Sequence, residues 1–290
     1  VYNLFYTTTG VIGTPINVCY KFIVLFIIFG AFLERTGIGD YFVQLANAVV
    51  GRFSGGPAKV AVVASALEGM CSGSSVANTV GSGSVTIPMM KKTGYKPEFA
   101  GAVEAAASTG GQIMPPIMGA AAFLMAEYMK IPYAQVAVKA ILPAILYFTG
   151  IFIAVHLEAK KLGLKGIPRD QLPKWKDLAR DFYLIIPLIL LVWLVSSGSK
   201  TMSHSAAYSI LAAIAVGFVN FFLQAKRGDE DNAPQTTGKA LGTAGKRSFF
   251  SAVDSLEAGS RGAITVAVAC GMAGIIAGCI TVTGLASILI

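Results

Sequence analysis

Two short stretches rich in glycine and serine interrupt long apolar runs, and they limit the folds that the chain can adopt. The first is Glu68-Gly-Met-Cys-Ser-Gly-Ser-Ser-Val-Ala-Asn78 and the second is Ser108-Thr-Gly-Gly-Gln-Ile-Met-Pro-Pro116. Irregular backbone in contact with hydrocarbon leaves N–H and C=O groups unpaired, so such breaks persist only where they are buried or line a hydrated cavity. We therefore expect both stretches to contribute to a binding site inside a membrane protein.

The composition agrees with a membrane location. Hydrophobic residues make up 54% of the chain and charged residues 13%, against about 25% charged residues in ordinary soluble domains. We therefore expect an all-α polytopic membrane protein. The formal net charge is +8, but no soluble segment is long enough to present a basic face to nucleic acid, so the positive residues are expected to orient the chain. All four cysteines lie in apolar segments without paired spacing, which favours buried free thiols: Cys19, Cys71, Cys270 and Cys279.

The first break predicts a re-entrant hairpin over about residues 57–91. The apolar segments Val60–Leu67 and Val76–Val80 on either side are too short to cross a bilayer, which needs about 20 residues. The predicted tip contains Ser72, Gly73, Ser74, Ser75 and Asn78. Their hydroxyls, the Asn78 amide and freed carbonyls can replace the hydration shell of a cation. A Ser/Gly loop on a soluble surface is the alternative, and the apolar context argues against it.

The second break predicts a broken helix over residues 98–129. Pro115 and Pro116 lack N–H donors and disfavour helix in the residue before them, so we expect half-helices Gly101–Ser108 and Ile117–Met129 joined by an unwound segment, Thr109–Pro116. Freed carbonyls suit a cation, and the N-terminus of the second half-helix suits a substrate carboxylate. A proline kink that serves packing only is the alternative.

The remaining apolar runs predict five spans and one helix lying at the membrane interface, Ile38–Val50. The spans are Ile16–Leu33, Ala134–Leu157, Phe182–Val195, Ala206–Leu223 and 262–290. Lys and Arg concentrate in two long loops, which the positive-inside bias places in the cytoplasm. The hairpin then enters from the cytoplasm, and the first and last spans run in opposite directions.

This topology suits an inverted repeat, in which ion and substrate sites lie at the repeat interface. We expect five regions along the chain. They are a first repeat over 1–157, a cytoplasmic loop over 158–181, two connecting spans over 182–224, a second cytoplasmic loop with an interfacial helix over 225–261, and the start of a second repeat over 262–290.

Glu68 and Glu104 are the acids nearest the two breaks, and an intramembrane carboxylate is a functional candidate because it is expensive to bury. Either could bind Na⁺, carry a coupled proton, or accept hydrogen bonds from nearby hydroxyls. Glu34 and Glu127 lie near predicted span ends, where they can reach water. Asp254, Glu257 and Arg261 are expected to form the solvated face of the interfacial helix.

Three motifs together resemble the large membrane subunit of TRAP (tripartite ATP-independent periplasmic) transporters. They are Glu68–Asn78, Ile87-Pro-Met-Met-Lys-Lys-Thr-Gly-Tyr95 and Ala105-Ala-Ala-Ser-Thr-Gly-Gly-Gln-Ile-Met-Pro-Pro116. Three further segments resemble its TAXI-associated fused form more specifically: Thr9-Gly-Val-Ile-Gly-Thr-Pro15, Phe29-Gly-Ala-Phe-Leu-Glu34 and Ala273-Gly-Ile-Ile-Ala-Gly278.

The resemblance implies an inner-membrane permease that imports small carboxylates with Na⁺ as the coupling ion and without an organic cofactor. It implies a periplasmic TAXI-type solute-binding protein, a small membrane subunit that is separate or fused upstream, and an elevator-type movement. The matching site residues are Ser72, Gly73, Ser74, Ser75, Ala77, Asn78, Ser108, Thr109, Gly110, Gly111, Pro115 and Pro116. Among them, the resemblance implies Na⁺ at Ser72, Ser74, Ser75 and Asn78.

The chain departs from the family pattern in two ways. Ile117 and Met118 follow the Pro-Pro pair, where family members often carry serine. The second hairpin and second broken helix of the family are expected beyond Ile290, so we expect a fragment that does not transport alone.

Parts of the sequence are compatible with three other functions. Gly73-Ser74-Ser75 suggests an intramembrane serine protease, but the nucleophile needs a general base within reach, and His156 lies at the end of another predicted span. His156 and His204 are expected at the surface. A passive channel could also use a re-entrant hairpin, and another ion-coupled carboxylate transporter could work without a binding protein.

Overall fold

The structure is a computed structural model that describes residues 2–168, 170, 172–198, 200–227 and 237–284. Over these ranges the chain forms helices and no strand. The helices are α1 (Tyr2–Phe5), α2 (Thr14–Val18), α3 (Val24–Arg35), α4 (Ile38–Val50), α5 (Gly56–Ser72), α6 (Ser75–Thr93), α7 (Pro97–Gly110), α8 (Ala120–Met129), α9 (Tyr133–Lys161), α10 (Trp175–Arg180), α11 (Ile186–Ser197), α12 (Met202–Arg227) and α13 (Thr237–Thr283). An all-α fold is therefore confirmed.

Four helical segments are long and apolar enough to cross a membrane: Thr14–Arg35, Tyr133–Lys161, Met202–Lys226 and Leu241–Thr283. The first joins α2 and α3 through a π-helical turn, Cys19–Ile23. The predicted span Phe182–Val195 is a shorter apolar helix, Phe182–Ser197, which begins with a 3₁₀ turn. The helix predicted at Ile38–Val50 has those same bounds in α4.

The predicted hairpin is present as the antiparallel pair α5 and α6. Gly73 separates them with φ of 59°, a left-handed conformation that favours glycine. At the base of the hairpin, Tyr95 donates a hydrogen bond to the carbonyl oxygen of Gly55 at 3.4 Å. Burial, with a smaller effect from the nearby Glu158 carboxylate, raises the pKa of Tyr95 to about 12, so its hydroxyl keeps its proton and remains a donor.

The broken helix is also present, with a later break than the sequence predicted. The first half, α7, extends through Gly110 and is followed by a 3₁₀ turn, Gly111–Ile113. The second half begins at Ala120 rather than Ile117, because Met118 has a left-handed φ of 55° that cannot belong to an α-helix. The irregular backbone therefore lies over residues 111–119 rather than Thr109–Pro116.

The sequence predicted a loop and a separate interfacial helix before the last span, whereas the structure has the single helix α13 from Thr237 onward. It is continuous for 47 residues, so Asp254, Glu257 and Arg261 lie within one helix that continues into the last span. Residues 237–261 contain no proline, which leaves nothing in that part of the sequence to force a helix to stop. Positions 228–236 and 285–290, also covered by these predictions, lie outside the described residues.

The last span packs antiparallel on the first, as the topology predicted. Gly259 lies beside Ile28, and a side chain at Gly274 would bring its Cβ within 2.5 Å of the Gly10 carbonyl oxygen. Glycine thus permits backbone-to-backbone packing of α13 against residues 9–30. Cys19, Cys71 and Cys270 are buried and free as predicted, whereas Cys279 is free but exposed.

Candidate ion and substrate site

The hairpin tip is organised by Ser74, the N-cap residue of α6. Its Oγ accepts a hydrogen bond from the Ala77 N–H at 3.4 Å, which satisfies one of the unpaired donors of the first helical turn. Ser72 donates to the Ser74 carbonyl oxygen at 3.4 Å. Ser74 is exposed, while Ser72, Gly73, Ser75 and Ala77 are half-buried. The tip therefore presents hydroxyl oxygens to its surroundings.

The tip contacts the break of the broken helix directly. Gln112 donates from Nε2 to Ser75 Oγ at 2.9 Å. A Cβ added at Gly73 would lie within 3.0 Å of the Met118 carbonyl oxygen, and one added at Gly111 would lie 2.8 Å from Gly69 Cα. The structure therefore brings the two breaks predicted from the sequence into contact.

A cavity of about 380 Å³ opens beside the tip. The hairpin and the break supply one side, and α3 and α13 supply the other. Its lining residues are Ile23, Phe26, Ile27, Ser72, Gly73, Ser74, Val76, Ala77, Ile117, Met118, Ala120, Phe123, Gly262, Thr265 and Val266. The α3 and α13 residues were not predicted from the sequence, since an apolar span carries no local signal of which face meets a site.

Asn78 does not lie at the tip, in contrast to the sequence prediction. It is fully buried in the first turn of α6, and its Nδ2 donates to the Ser65 carbonyl oxygen at 2.8 Å. Its Oδ1 lies 3.3 Å from Ser82 Oγ. The helical turn from Ser75 directs this side chain between the two hairpin arms, where its amide joins them.

Glu104 is the centre of a buried hydrogen-bond cluster. The side chain has no exposed surface, and four hydroxyls donate to its carboxylate. Oε1 accepts from Ser65 at 2.7 Å, Ser82 at 2.5 Å and Ser108 at 3.2 Å, and Oε2 accepts from Thr86 at 2.5 Å. We call Glu104 with these four residues the Glu104 cluster. It joins both hairpin arms to α7, and four donors compensate the cost of burying the carboxylate.

The other residues of the broken helix that were predicted to bind the ion or substrate lie in several different environments. Ser108 belongs to the Glu104 cluster, whereas Thr109 is exposed and donates to the Ala105 carbonyl oxygen. A side chain at Gly110 would clash with the Tyr147 ring. Pro115 and Pro116 line a separate cavity with Phe26 and Tyr133, so they do not reach the tip cavity.

Tyr133 holds the end of the break. Its ring stacks on Phe123 at 4.5 Å between centroids, and its hydroxyl contacts the carbonyl oxygens of both Pro116 and Ile117. The sequence predicted freed carbonyls over Thr109–Pro116 as cation ligands, and the Pro116 carbonyl is one of them. It instead accepts from Tyr133, which the sequence did not single out.

We expect Tyr133→Phe to lower the free energy of unfolding by about 1 kcal/mol, because it removes one donor from buried carbonyls. Thermal unfolding of the purified protein measures the change. Tyr128→Phe is the matched control, since Tyr128 is 55% exposed and should have little effect. Equal changes in the two variants would show that the Tyr133 hydroxyl does not hold the break.

Glu68 is buried at a different place from the Glu104 cluster. It is 6% exposed, and a Cβ added at Gly81 would overlap its carboxylate, while one at Gly39 would lie 3.7 Å from Oε1. The acid therefore fits between the hairpin and α4, at a place where glycine leaves room for it. Glu34 is exposed and Glu127 pairs with Lys130 at 2.7 Å, as expected of span ends.

His156 lies far from the serines of the tip. Its Nδ1 is 3.0 Å from Nζ of Lys59 near the start of α5, and that position is about 20 Å along the helix from Ser72. It cannot serve as general base for Ser74. Lys59 is only 3% exposed and lies over the rings of Phe53 and Phe152, a burial that the sequence analysis missed. His204 is exposed as expected.

Comparison with known proteins gives the family. The family model described as the DctM component of the tripartite ATP-independent periplasmic transporter matches residues 6–289. The C4-dicarboxylate TRAP transporter large permease protein DctM of Pseudomonas aeruginosa is 28% identical over 199 residues, which are 68% of this chain and 45% of that protein. DctM of Vibrio cholerae is 28% identical over 226 residues, covering 75% and 48% of the two chains.

A second kind of relative is the sialic acid TRAP transporter large permease protein SiaM of Vibrio cholerae, 25% identical over 195 residues, or 67% of this chain and 45% of SiaM. The chain thus spans about half the length of the curated relatives it matches. These relatives are transporter components and not enzymes. The match over residues 6–289, together with four helices long and apolar enough to cross a membrane, shows that this multi-pass inner-membrane chain belongs to the DctM-component family of TRAP transporters.

Proposed function

We propose that the chain is part of the permease of a Na⁺-coupled, binding-protein-dependent secondary transporter that imports small carboxylates. One observation carries the proposal. The hydroxyl-bearing hairpin tip and the break of the broken helix meet at a single cavity of about 380 Å³. The TRAP family membership supports a permease role.

The cavity suits an organic anion. Helix α6 of 19 residues begins at Ser75, helix α8 of 10 residues begins at Ala120, and residues of both N-terminal regions line the cavity. Helix N-termini carry partial positive charge and unpaired N–H groups that favour carboxylates. Ile117, Met118 and Phe123 supply an apolar wall for the body of the substrate.

The tip offers a partial ligand set for Na⁺. Ser72, Ser74 and Ser75 provide hydroxyl oxygens that are not fully buried, and oxygen ligands of this kind replace a hydration shell. The fourth predicted ligand, Asn78, already uses its amide within the hairpin. In the proposed site, Na⁺ therefore contacts Ser72 and Ser74, which line the cavity, and Ser75, whose Oγ also accepts from Gln112. Asn78 keeps the tip in position through its contacts with Ser65 and Ser82.

We further propose the partners and movement that the resemblance implies. The partners are a periplasmic TAXI-type binding protein and a small membrane subunit, separate or fused upstream. The movement is that of an elevator in which the hairpin and broken helix travel together. The Glu104 cluster supports a common movement, because it ties α5, α6 and α7 into one buried network.

Uptake by the complete permease in proteoliposomes tests this function. A panel of labelled small carboxylates would be offered with and without an inward Na⁺ gradient and with and without the binding protein. Saturable uptake that requires both supports the proposal. Uptake that requires neither would favour a channel, and Na⁺-dependent uptake without the binding protein would favour the other class of carboxylate carrier.

Ser74→Ala and Ser75→Ala should each raise the Na⁺ concentration for half-maximal uptake several-fold, because each removes a ligand oxygen with little change in volume. Expression should stay near that of the parent protein. Ser84→Ala is the control, since Ser84 is exposed on the same helix and donates to the Gly81 carbonyl oxygen within that helix. An unchanged Na⁺ requirement in both tip variants would mean that the ion binds elsewhere.

A further inference from the structure

A second large cavity lies between the end of α3, the end of α12 and the first part of α13. Its volume is about 630 Å³. Its lining residues are Arg35, Phe221, Thr243, Lys246, Arg247, Phe250, Ser251 and Asp254. None of them lines the cavity at the hairpin tip, so this space is independent of the proposed transport site.

The lining carries excess positive charge. Arg35, Lys246 and Arg247 face a single carboxylate, Asp254. Arg35 NH1 is 3.6 Å from Asp254 Oδ2, with both side chains about half exposed, so this pair is weak and can rearrange. Lys246 and Arg247 are exposed. The cavity is therefore suited to an anionic group, which would offset the repulsion among three cations.

Aromatic side chains give the same cavity an apolar part. Phe221 and Phe250 line it, and Phe250 is 55% exposed. Arg35 ends the first of the four segments that are long and apolar enough to cross a membrane, and Phe221 lies near the end of the third segment. The fourth segment, part of α13, supplies the cavity-lining residues from Thr243 to Asp254. The positive-inside bias places these ends at the cytoplasmic face. At that depth, charged headgroups and acyl chains lie side by side.

We propose that this cavity binds an anionic glycerophospholipid, with its phosphate at Lys246 and Arg247 and its acyl chains against Phe221 and Phe250. Basic pockets between membrane helices on the cytoplasmic side bind such headgroups. A free phosphate would use the cations but not the rings, so a membrane lipid fits the whole lining better. The bound lipid would join α13 to α3 and α12, independently of Na⁺ or substrate.

Lipid binding to the purified permease in nanodiscs or detergent tests this proposal, with phosphatidylglycerol as the probe and native mass spectrometry as the readout. The double substitution Lys246→Gln with Arg247→Gln should weaken phosphatidylglycerol binding roughly 30-fold, if each cation contributes as a surface-bound Lys or Arg does. Lys91→Gln with Lys92→Gln is the matched control, an adjacent exposed pair at the end of α6, and should leave binding unchanged.

A second pair of variants tests the apolar part. Phe250→Ala should also weaken phosphatidylglycerol binding, whereas Phe249→Ala should not, because Phe249 is exposed but does not line the cavity. Glycerol 3-phosphate, which has the headgroup chemistry without acyl chains, should not displace the lipid at equal concentration. Equal binding by the two double variants, or displacement by glycerol 3-phosphate, would overturn the proposal.

Discussion

Gly69→Ala should lower the free energy of unfolding by about 3 kcal/mol, near the upper end for overpacking a buried contact. The added Cβ would lie within 3.0 Å of Gly111 Cα, with Asn78 Nδ2 at 3.2 Å. The nearest obstacle is backbone and cannot rotate away, so the hairpin must move off the break. Because this contact sets the position of the tip, Na⁺-dependent uptake should be lost as well. Thermal unfolding and uptake measure the two effects.

Gly101→Ala is the control for this substitution. Gly101 lies in α7 and a Cβ there meets nothing within 4 Å, so alanine should stabilise the helix by about 0.5–1 kcal/mol. Opposite signs for the two glycine variants support the close packing of hairpin and break. A Gly69→Ala protein as stable and active as the parent would show that these segments do not touch.

Glu104→Ala should cost about 3 kcal/mol of stability, because it leaves buried hydroxyls of Ser65, Ser82, Thr86 and Ser108 without their shared acceptor. Part of the loss is offset, since Thr86 can still donate to the Ser82 carbonyl oxygen at 3.0 Å. Thermal unfolding of the purified permease gives the change. We expect reduced uptake in the same variant, because both hairpin arms lose their connection to α7.

Glu104→Gln should be milder than the alanine variant, because its amide oxygen still accepts while its NH₂ group meets hydroxyls that donated before. Glu98→Gln makes the same chemical change at an exposed position in the first turn of α7 and should change stability by no more than about 0.5 kcal/mol. Similar losses in the Glu98 and Glu104 variants would contradict the role given to the Glu104 cluster.

The sequence predicted the hairpin and the break because their signals are local. Gly73 within a polar stretch ends α5, Ser74 caps α6, and the Pro115-Pro116 pair prevents one continuous helix. The predicted limits of the break were less accurate than its predicted existence. Gly110 remains helical, and the left-handed Met118 delays α8 to Ala120.

The partners of buried side chains could not be predicted in this way. Asn78 was placed at the tip because it follows the serines closely in sequence, but helical geometry rotates it between the hairpin arms. The four donors around Glu104 come from three helices, and their convergence depends on how α5, α6 and α7 pack. Burial of Lys59 beside His156 depends on α9 in the same way. Long-range packing, rather than residue pattern, decides these contacts.

The most direct test of the account is the accessibility of the tip cavity in the presence of Na⁺. Ala77→Cys, in a permease whose native cysteines are replaced, places a thiol in the cavity wall without removing a proposed ligand oxygen. The purified protein would be labelled with a hydrophilic maleimide in NaCl or choline chloride, with Lys96→Cys in an exposed loop as control. We predict that Na⁺ slows labelling at position 77 and not at position 96. Identical rates at position 77 in the two salts would contradict Na⁺ binding at the hairpin tip.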